Sequence, residues 1–285
     1  MARKQRLIPV LTLLAMCSVA HGGQIFVDNI AGDDRSDGTS NKKTSLEVGP
    51  VRTLERAMRL ARFGDTVIIS KTSKPYYGSL SLTGHRHSGS PQVPFRILGN
   101  GATLSGARSV PSELWKRHRD NVWSFEPTKK GRYLLLLDGE AVKRFPAQFT
   151  SHYPHGIEEG QFAVCMGRVF YRSPKGEQPG ERAFAIAQGT TGVSLFGVRN
   201  VIIKDLKVEN FRIDGLNAHD LCRNVLVENV TAIANGRAGM TVKGSAELVV
   251  RNCRIEQNLE HSVLVQEAGE VDVKETAVDL EPTQR

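Results

Sequence analysis

Beyond its first twenty residues this 285-residue chain has no apolar stretch long enough to span a bilayer, which takes about 20 residues, so no interior membrane anchor is expected. Cysteine is scarce: Cys17 lies in the N-terminal stretch, and only Cys165, Cys222 and Cys253 follow it. An odd number of widely spaced thiols excludes a disulfide framework. No Arg-rich arm or nucleic-acid motif occurs, which removes nucleic acid from the expected partners. His85, His87, His152 and His155 have no companion Cys or His at zinc spacing and read as loop residues. Charge of neither sign dominates, with 38 Lys and Arg against 30 Asp and Glu. Setting aside Arg3, Lys4 and Arg6 leaves +5, a mild excess that suits an acidic polysaccharide and equally a mixed, solvated surface.

Those three basic residues precede an apolar run from Leu7 to Ala20, closing on Ser18-Val19-Ala20. Small residues at its end fit signal peptidase, so residues 1–20 read as a secretory signal cleaved after Ala20. The expected location is extracellular or periplasmic, with no membrane association after cleavage. From residue 21 the chain is expected to form one continuous elongated domain.

What is abundant is repetition. Val201-Ile202-Ile203, Val225-Leu226-Val227, Leu248-Val249-Val250 and Val271-Asp272-Val273 recur at intervals of 24, 23 and 23 residues. Four places into each repeat stands a polar residue (Asp205, Asn229, Asn252, Glu275), and a second apolar pair follows it. A third run comes at Leu216 and Ala218, Met240 and Val242, Val263 and Val265. Three short strands of period two per turn of about 23 residues, with Asn, Asp or Gly corners, describe the coils of a parallel β-solenoid over 181–285. Cys253 takes the slot held by Leu206 and Val230, as a small buried hydrophobe would.

Ahead of the coils, Leu54, Ala57, Met58, Leu60 and Ala61 form a helical apolar stripe with Thr53 as N-cap and Gly64 beyond its end. A solenoid exposes an unpaired rung at its start, so this helix is expected to cap the first coil. Residues 67–69, 80–82, 95–98 and 102–104 are the opening rungs of a region spanning 21–110. From 111 to 180 the rhythm breaks. Asp138-Gly139 and Met166-Gly167 each separate two apolar runs, which predicts inserted antiparallel hairpins; the coils resume from Phe184. No lid is visible after the last coil, so self-association through an uncapped C-terminal coil is expected.

Phe26-Val27-Asp28, Gly32-Asp33-Asp34, Asp37-Gly38, Pro50-Val51-Arg52-Thr53-Leu54 and Gly64-Asp65-Thr66-Val67 resemble the N-terminal signature of secreted right-handed parallel β-helix proteins of the pectate-lyase-like superfamily. Leu137-Asp138-Gly139-Glu140, Arg144-Phe145-Pro146 and the stretch from Gly167 to Gly176 are similar to a hairpin pair that many of them insert. The resemblance implies an all-β, single-stranded, right-handed parallel β-helix with a capping α-helix. It implies activity weakly, because the superfamily holds polysaccharide lyases, glycoside hydrolases, epimerases and members without known reaction.

Within that fold the third strand of each coil presents an outward column of Asn217, Thr241 and Leu264, beside His219, Lys243 and Gln266. At its entering corner sit Asp214, Arg237, Glu260 and His261. A lyase must remove the C5 proton of a uronic acid, which takes a base and a cation near the substrate carboxylate. Lys243 flanked by His219 and Arg237 would supply both. A hydrolase needs two carboxyls, and Asp214 and Glu260, two rungs apart, would stand about 9.6 Å from each other. Asp33, Asp34 and Asp37 offer oxygen ligands for Ca2+, although Asp-Gly turn chemistry accounts for them equally. Trp115, Trp123, Tyr153 and Tyr171 would stack on sugars or pack the hairpins. The expected function is polysaccharide engagement, as a lyase before a hydrolase and with acidic glycans first; the alternative is a non-catalytic carbohydrate-binding or surface scaffold module.

Overall fold

The computed structural model describes residues 22–278; the expected secretory signal and the residues from 279 onward lie outside them. A long parallel sheet runs in the order Gln24–Val27, Thr66–Ile69, Phe95–Ser105, Arg199–Glu209, Arg223–Glu228, Glu247–Arg251, Glu270–Lys274. The apolar triplets stack in register, Val201 on Phe95 and Val225, Val225 on Leu248, Leu248 on Val271. Alternate residues point into the coil, and Val201, Ile203, Val225, Val227 and Val250 are buried in one continuous core. Cys222 and Cys253 belong to that core, and burial pushes both thiols above the usual range.

The polar corner residues have a conformational reason. Asp205, Asn229, Asn252 and Glu275 all lie in the left-handed region, at φ 55°, 54°, 49° and 48°. Short polar side chains tolerate that region best, and here they also bond between coils. The Asn229 amide donates to Asp205 Oδ1 at 2.9 Å and the Asn252 amide to Asn229 Oδ1 at 2.6 Å.

The cap is the helix Leu54–Leu60, whose N-cap Thr53 accepts from the Arg56 N–H at 3.1 Å. Leu54, Ala57 and Met58 are its buried face. The third strands form a second parallel sheet, the groove sheet: Leu80–Thr83, Thr191–Phe196, Asp214–His219, Ala238–Val242 and His261–Val265, with Leu80, Val193, Leu216, Met240 and Val263 in register.

Between Ser105 and Thr191 the chain leaves the coil. Both expected hairpins are present: Leu135–Leu137 with Glu140–Ala141 through Asp138-Gly139, and Gln161–Cys165 with Arg168–Arg172 through Met166-Gly167. All four turn residues have positive φ, as a two-residue hairpin turn of this hand requires. Resumption of the coils at Phe184 is corrected. Phe184–Ala187 pairs antiparallel with Ala107–Ser109 and Leu135–Leu137, so the insertion's sheets run from 107 to 187. The cause is aromatic packing, since the Phe184 ring lies 5.0 Å from Trp115 and 4.9 Å from Tyr171. Trp115 and Tyr171 are buried in this second core and present no face to a sugar.

Candidate functional site

The insertion departs at the corner that leads from the second strand of a coil into the third, and it leans on that corner in the later coils. Arg132 donates to the Gly236 carbonyl and pairs with Glu260, while Arg212 reaches back to the Lys130 carbonyl and to Thr190 Oγ1. One end of the groove sheet is thereby walled by the insertion.

Asp214 sits at that walled end and is 0% exposed. Its position follows from the backbone. A Cβ on Gly215 would meet Ala232 and Asn235 inside the coil, and the next residue, Leu216, is also core. With two successive residues facing inward, Asp214 falls on the same side as Asn217, whose amide donates to Asp214 Oδ2 at 2.7 Å. Arg237, from the next coil, binds both carboxylate oxygens through Nε at 2.9 Å and Nη2 at 2.6 Å. These bonds to Asp214 hold the guanidinium still more firmly protonated. A bidentate, charge-assisted pair of this kind fixes both side chains.

Next to this pair the polar groups are incomplete. Asn217 Oδ1 and Thr241 Oγ1, neighbours in register, are buried and have no hydrogen-bond partner. Thr241 was expected at an open outward position; it is 0% exposed. Orphaned polar atoms are rare in native interiors, and both of these are closed off from solvent.

At the other end of the strands the surface opens. Phe196 is 49% exposed and meets the His219 ring edge-on at 4.8 Å. Register places Thr83, Phe196 and His219 side by side, and Lys243 follows directly after the end of the next strand, its N–H donating to the Ala218 carbonyl at 3.0 Å. Phe196 adjoins a shallow hollow of about 390 Å³ with His85. The sequence reading missed Phe196 because the column was followed only from residue 216 onward. Extending it one coil back, to Val193 and Leu195, would have placed Phe196 beside His219.

The expected cluster is therefore two clusters. His219 and Lys243 are neighbours, but Arg237 stands at the far end of the same strand from Lys243. Six steps along extended chain separate them, about 20 Å. Arg237 is also committed to Asp214, so the reading of Lys243 flanked by both His219 and Arg237 is corrected. The pairing of Asp214 with Glu260 as two working carboxyls meets a similar obstacle. Asp214 is closed off by Arg237 and Asn217, and Glu260 is paired with Arg132. His261 opens the last groove strand and is exposed.

The acidic loop near the N-terminus has other employment. Asp33 binds the Arg35 guanidinium at 2.7 Å and the Lys43 ammonium at 3.0 Å, contacts that hold its carboxyl well below the usual range. Asp34 accepts from Thr53 Oγ1 and from the N–H groups of Arg52 and Thr53, securing the start of the cap helix. Asp37 accepts from the Thr39 N–H and hydroxyl. Among the described residues no group of three or more His, Cys, Asp or Glu is placed to hold a metal ion, so the Ca2+ expectation at Asp33, Asp34 and Asp37 does not fit this loop.

Residues 181–278 match the family model described as a right-handed β-helix region. These coils are a right-handed parallel β-helix. Among solved structures the chain is similar to XylC in complex with xylose, at 13% identity and a TM-score of 0.58, over 89% of this chain and 58% of that one. It is also similar to a glycoside hydrolase, at 11% identity and a TM-score of 0.64, over 86% of this chain and 68% of that one. A pectate lyase, Pel9A, aligns over 85% of this chain and 42% of its own, at 10% identity and a TM-score of 0.43. At such identities the β-helix is shared and no more, and this chain spans under three fifths of the XylC chain. No curated protein matches the sequence significantly. The right-handed β-helix is thus held in common with distant carbohydrate-active enzymes.

Proposed function

We propose that this β-helix is an exported protein that binds an acidic polysaccharide along the groove sheet. One observation carries the reading. On the strand face the acids Asp214 and Glu260 are each paired with an arginine, whereas Lys243 has no ion-pair partner among the described residues and shares the open end of the groove sheet with His219 and the exposed Phe196; His261, also without an ion-pair partner, stands at the opposite end. Unpaired cationic or protonatable groups next to an exposed ring suit a chain of carboxylated sugars, which offers apolar CH faces and anions at regular intervals. Export is supported by Arg3, Lys4 and Arg6 ahead of the Leu7 to Ala20 run.

A second reading, elimination, is favoured by the adjacency of His219 and Lys243. Lys243 would take the C5 proton of a uronate unit, the electron pair would form the C4–C5 double bond, and the C4 oxygen would leave with a proton from His219. Hydrolysis has less support, because both corner carboxylates are neutralised.

Affinity electrophoresis of the full chain through gels containing polygalacturonate, alginate, a glycosaminoglycan or a neutral glucan tests the first reading. Retardation is expected in the acidic gels and should shrink in Lys243→Ala and Phe196→Ala. Equal mobility in all gels, or variants that behave as the parent, would overturn it. Ultraviolet-absorbing unsaturated product, lost in Lys243→Ala, would establish the second reading; binding without product would leave the scaffold role.

A further inference from the structure

One recess among the described residues is not on the groove sheet. It lies around the corner, between the insertion and the outer face of the second strands, with a volume of about 200 Å³. Its apolar sides come from Tyr133 and Val142 of the insertion and from Ile233 and Leu259 of the coils. Four charged side chains line it, Glu140 and Arg144 from the insertion and Lys207 and Glu209 from the coil, so the lining carries no net formal charge. Lys207 and Glu209 pair at 2.6 Å, while the Arg144 side chain has no hydrogen-bond or ion-pair partner among the described residues. Asn210 also lines the cleft; it is 8% exposed and its Oδ1 accepts no hydrogen bond. Its backbone lies in the left-handed region, which asparagine tolerates well. Ala234 and Gln257 occupy the same corner of the next two coils at φ 54° and 55°, against 60° for Asn210.

We infer that this cleft binds a single neutral pyranose unit, independently of any polysaccharide on the groove sheet. A sugar ring is the ligand whose chemistry the lining matches. Its hydroxyls both donate and accept, so they can serve the Glu209 carboxylate and the free Arg144 guanidinium together. Its CH faces suit Ile233 and Leu259. The balanced charge disfavours an anion, and a volume below the roughly 300 Å³ of ordinary ligand pockets limits occupancy to one ring. The cleft would then hold a branch or a chain end at the side of the groove.

Titration of the full chain with methyl β-D-xylopyranoside, methyl β-D-glucopyranoside and D-glucuronate, followed by saturation-transfer NMR and calorimetry, tests this. Saturable binding of a neutral glycoside is expected, with glucuronate weaker. Arg144→Ala, an exposed side chain whose loss leaves the fold alone, should weaken binding about tenfold, the scale of one hydrogen bond to a charged group. Ile233→Trp should fill the cleft and abolish binding, and Lys243→Ala on the groove sheet should change nothing. No binding of any neutral glycoside, preference for glucuronate, or binding that follows Lys243 rather than Arg144 and Ile233 would each overturn the inference. Because Lys243 reports on the groove and Arg144 on the cleft, failure of one site is distinguishable from failure of the other.

Discussion

Asp214 shows how much a single side chain can be asked to do in a thin solenoid. It is wholly buried, yet its carboxylate serves Arg237 from the neighbouring coil and Asn217 from its own strand, so it ties coils together where the groove is walled. Removing one partner of such a pair strands the other charge, which costs about 3 kcal/mol where the survivor keeps some contact with water, as Arg237 does. Asp214→Ala is therefore expected to lower the unfolding free energy by about that amount in urea titration. Glu260→Ala breaks a pair whose partners are both well exposed and should cost under about 1 kcal/mol. Equal effects of the two substitutions would refute the distinction between them. The arithmetic of strand alternation could not have shown this. Counting inward from Leu216 by twos puts Asp214 in the core, and only the inward turn at Gly215 returns it to the outer side, where Asn217 and Arg237 reach it.

Among the elements, the cap helix and the coils were legible in the sequence, and the insertion's hold on them was not. Stacked triplets such as Val225 and Leu248 follow from apolar periodicity, and left-handed corners follow from Asp205, Asn229 and Asn252, because these are local preferences repeated every coil. Arg132 reaching Gly236, or Phe184 joining Trp115, depends on distant parts of the chain meeting, for which no local pattern exists. The docking of the cap helix has a similar hidden part in His87. The Thr83 N–H donates to His87 Nδ1 at 3.1 Å, so that nitrogen is an acceptor, and Nε2 carries the proton given to the Met58 carbonyl at 3.0 Å. A proton added at Nδ1 would face the Thr83 N–H. Burial, aided by the charges of Arg86 and His85, keeps the ring pKa below its ordinary value of 6.5, so the unfolded chain takes up the proton first. Stability from this contact is full above about pH 6.5 and falls as the pH drops through the folded-state value. The thermal midpoint of the parent should thus decline more steeply below pH 6.5 than that of His87→Gln; parallel profiles would dismiss the switch.

At the scale of the whole molecule the β-helix is one-dimensional, each coil resting only on its neighbours, and its stability should be graded along the axis. The middle coils have long-sheet and groove-sheet partners on both sides and interior residues that are fully buried. The last described coil differs. Glu270–Lys274 and His261–Val265 pair on one side only, and Val265 and Val273 are exposed. Alternating charges at Glu270, Asp272 and Lys274 oppose the addition of another strand to this edge, but the Val265 end of the groove sheet has no such guard on its own strand. Hydrogen exchange should therefore be slow for 201–250 and fast for 261–278 in dilute solution. Raising the protein concentration decides whether that edge is used. If copies associate end to end, protection should rise in 261–265 and leave 24–27, beneath the N-terminal cap, unchanged. Uniform protection from 201 to 278 in dilute solution would contradict the graded coil, and protection in 261–265 that ignores concentration would reject association through this edge.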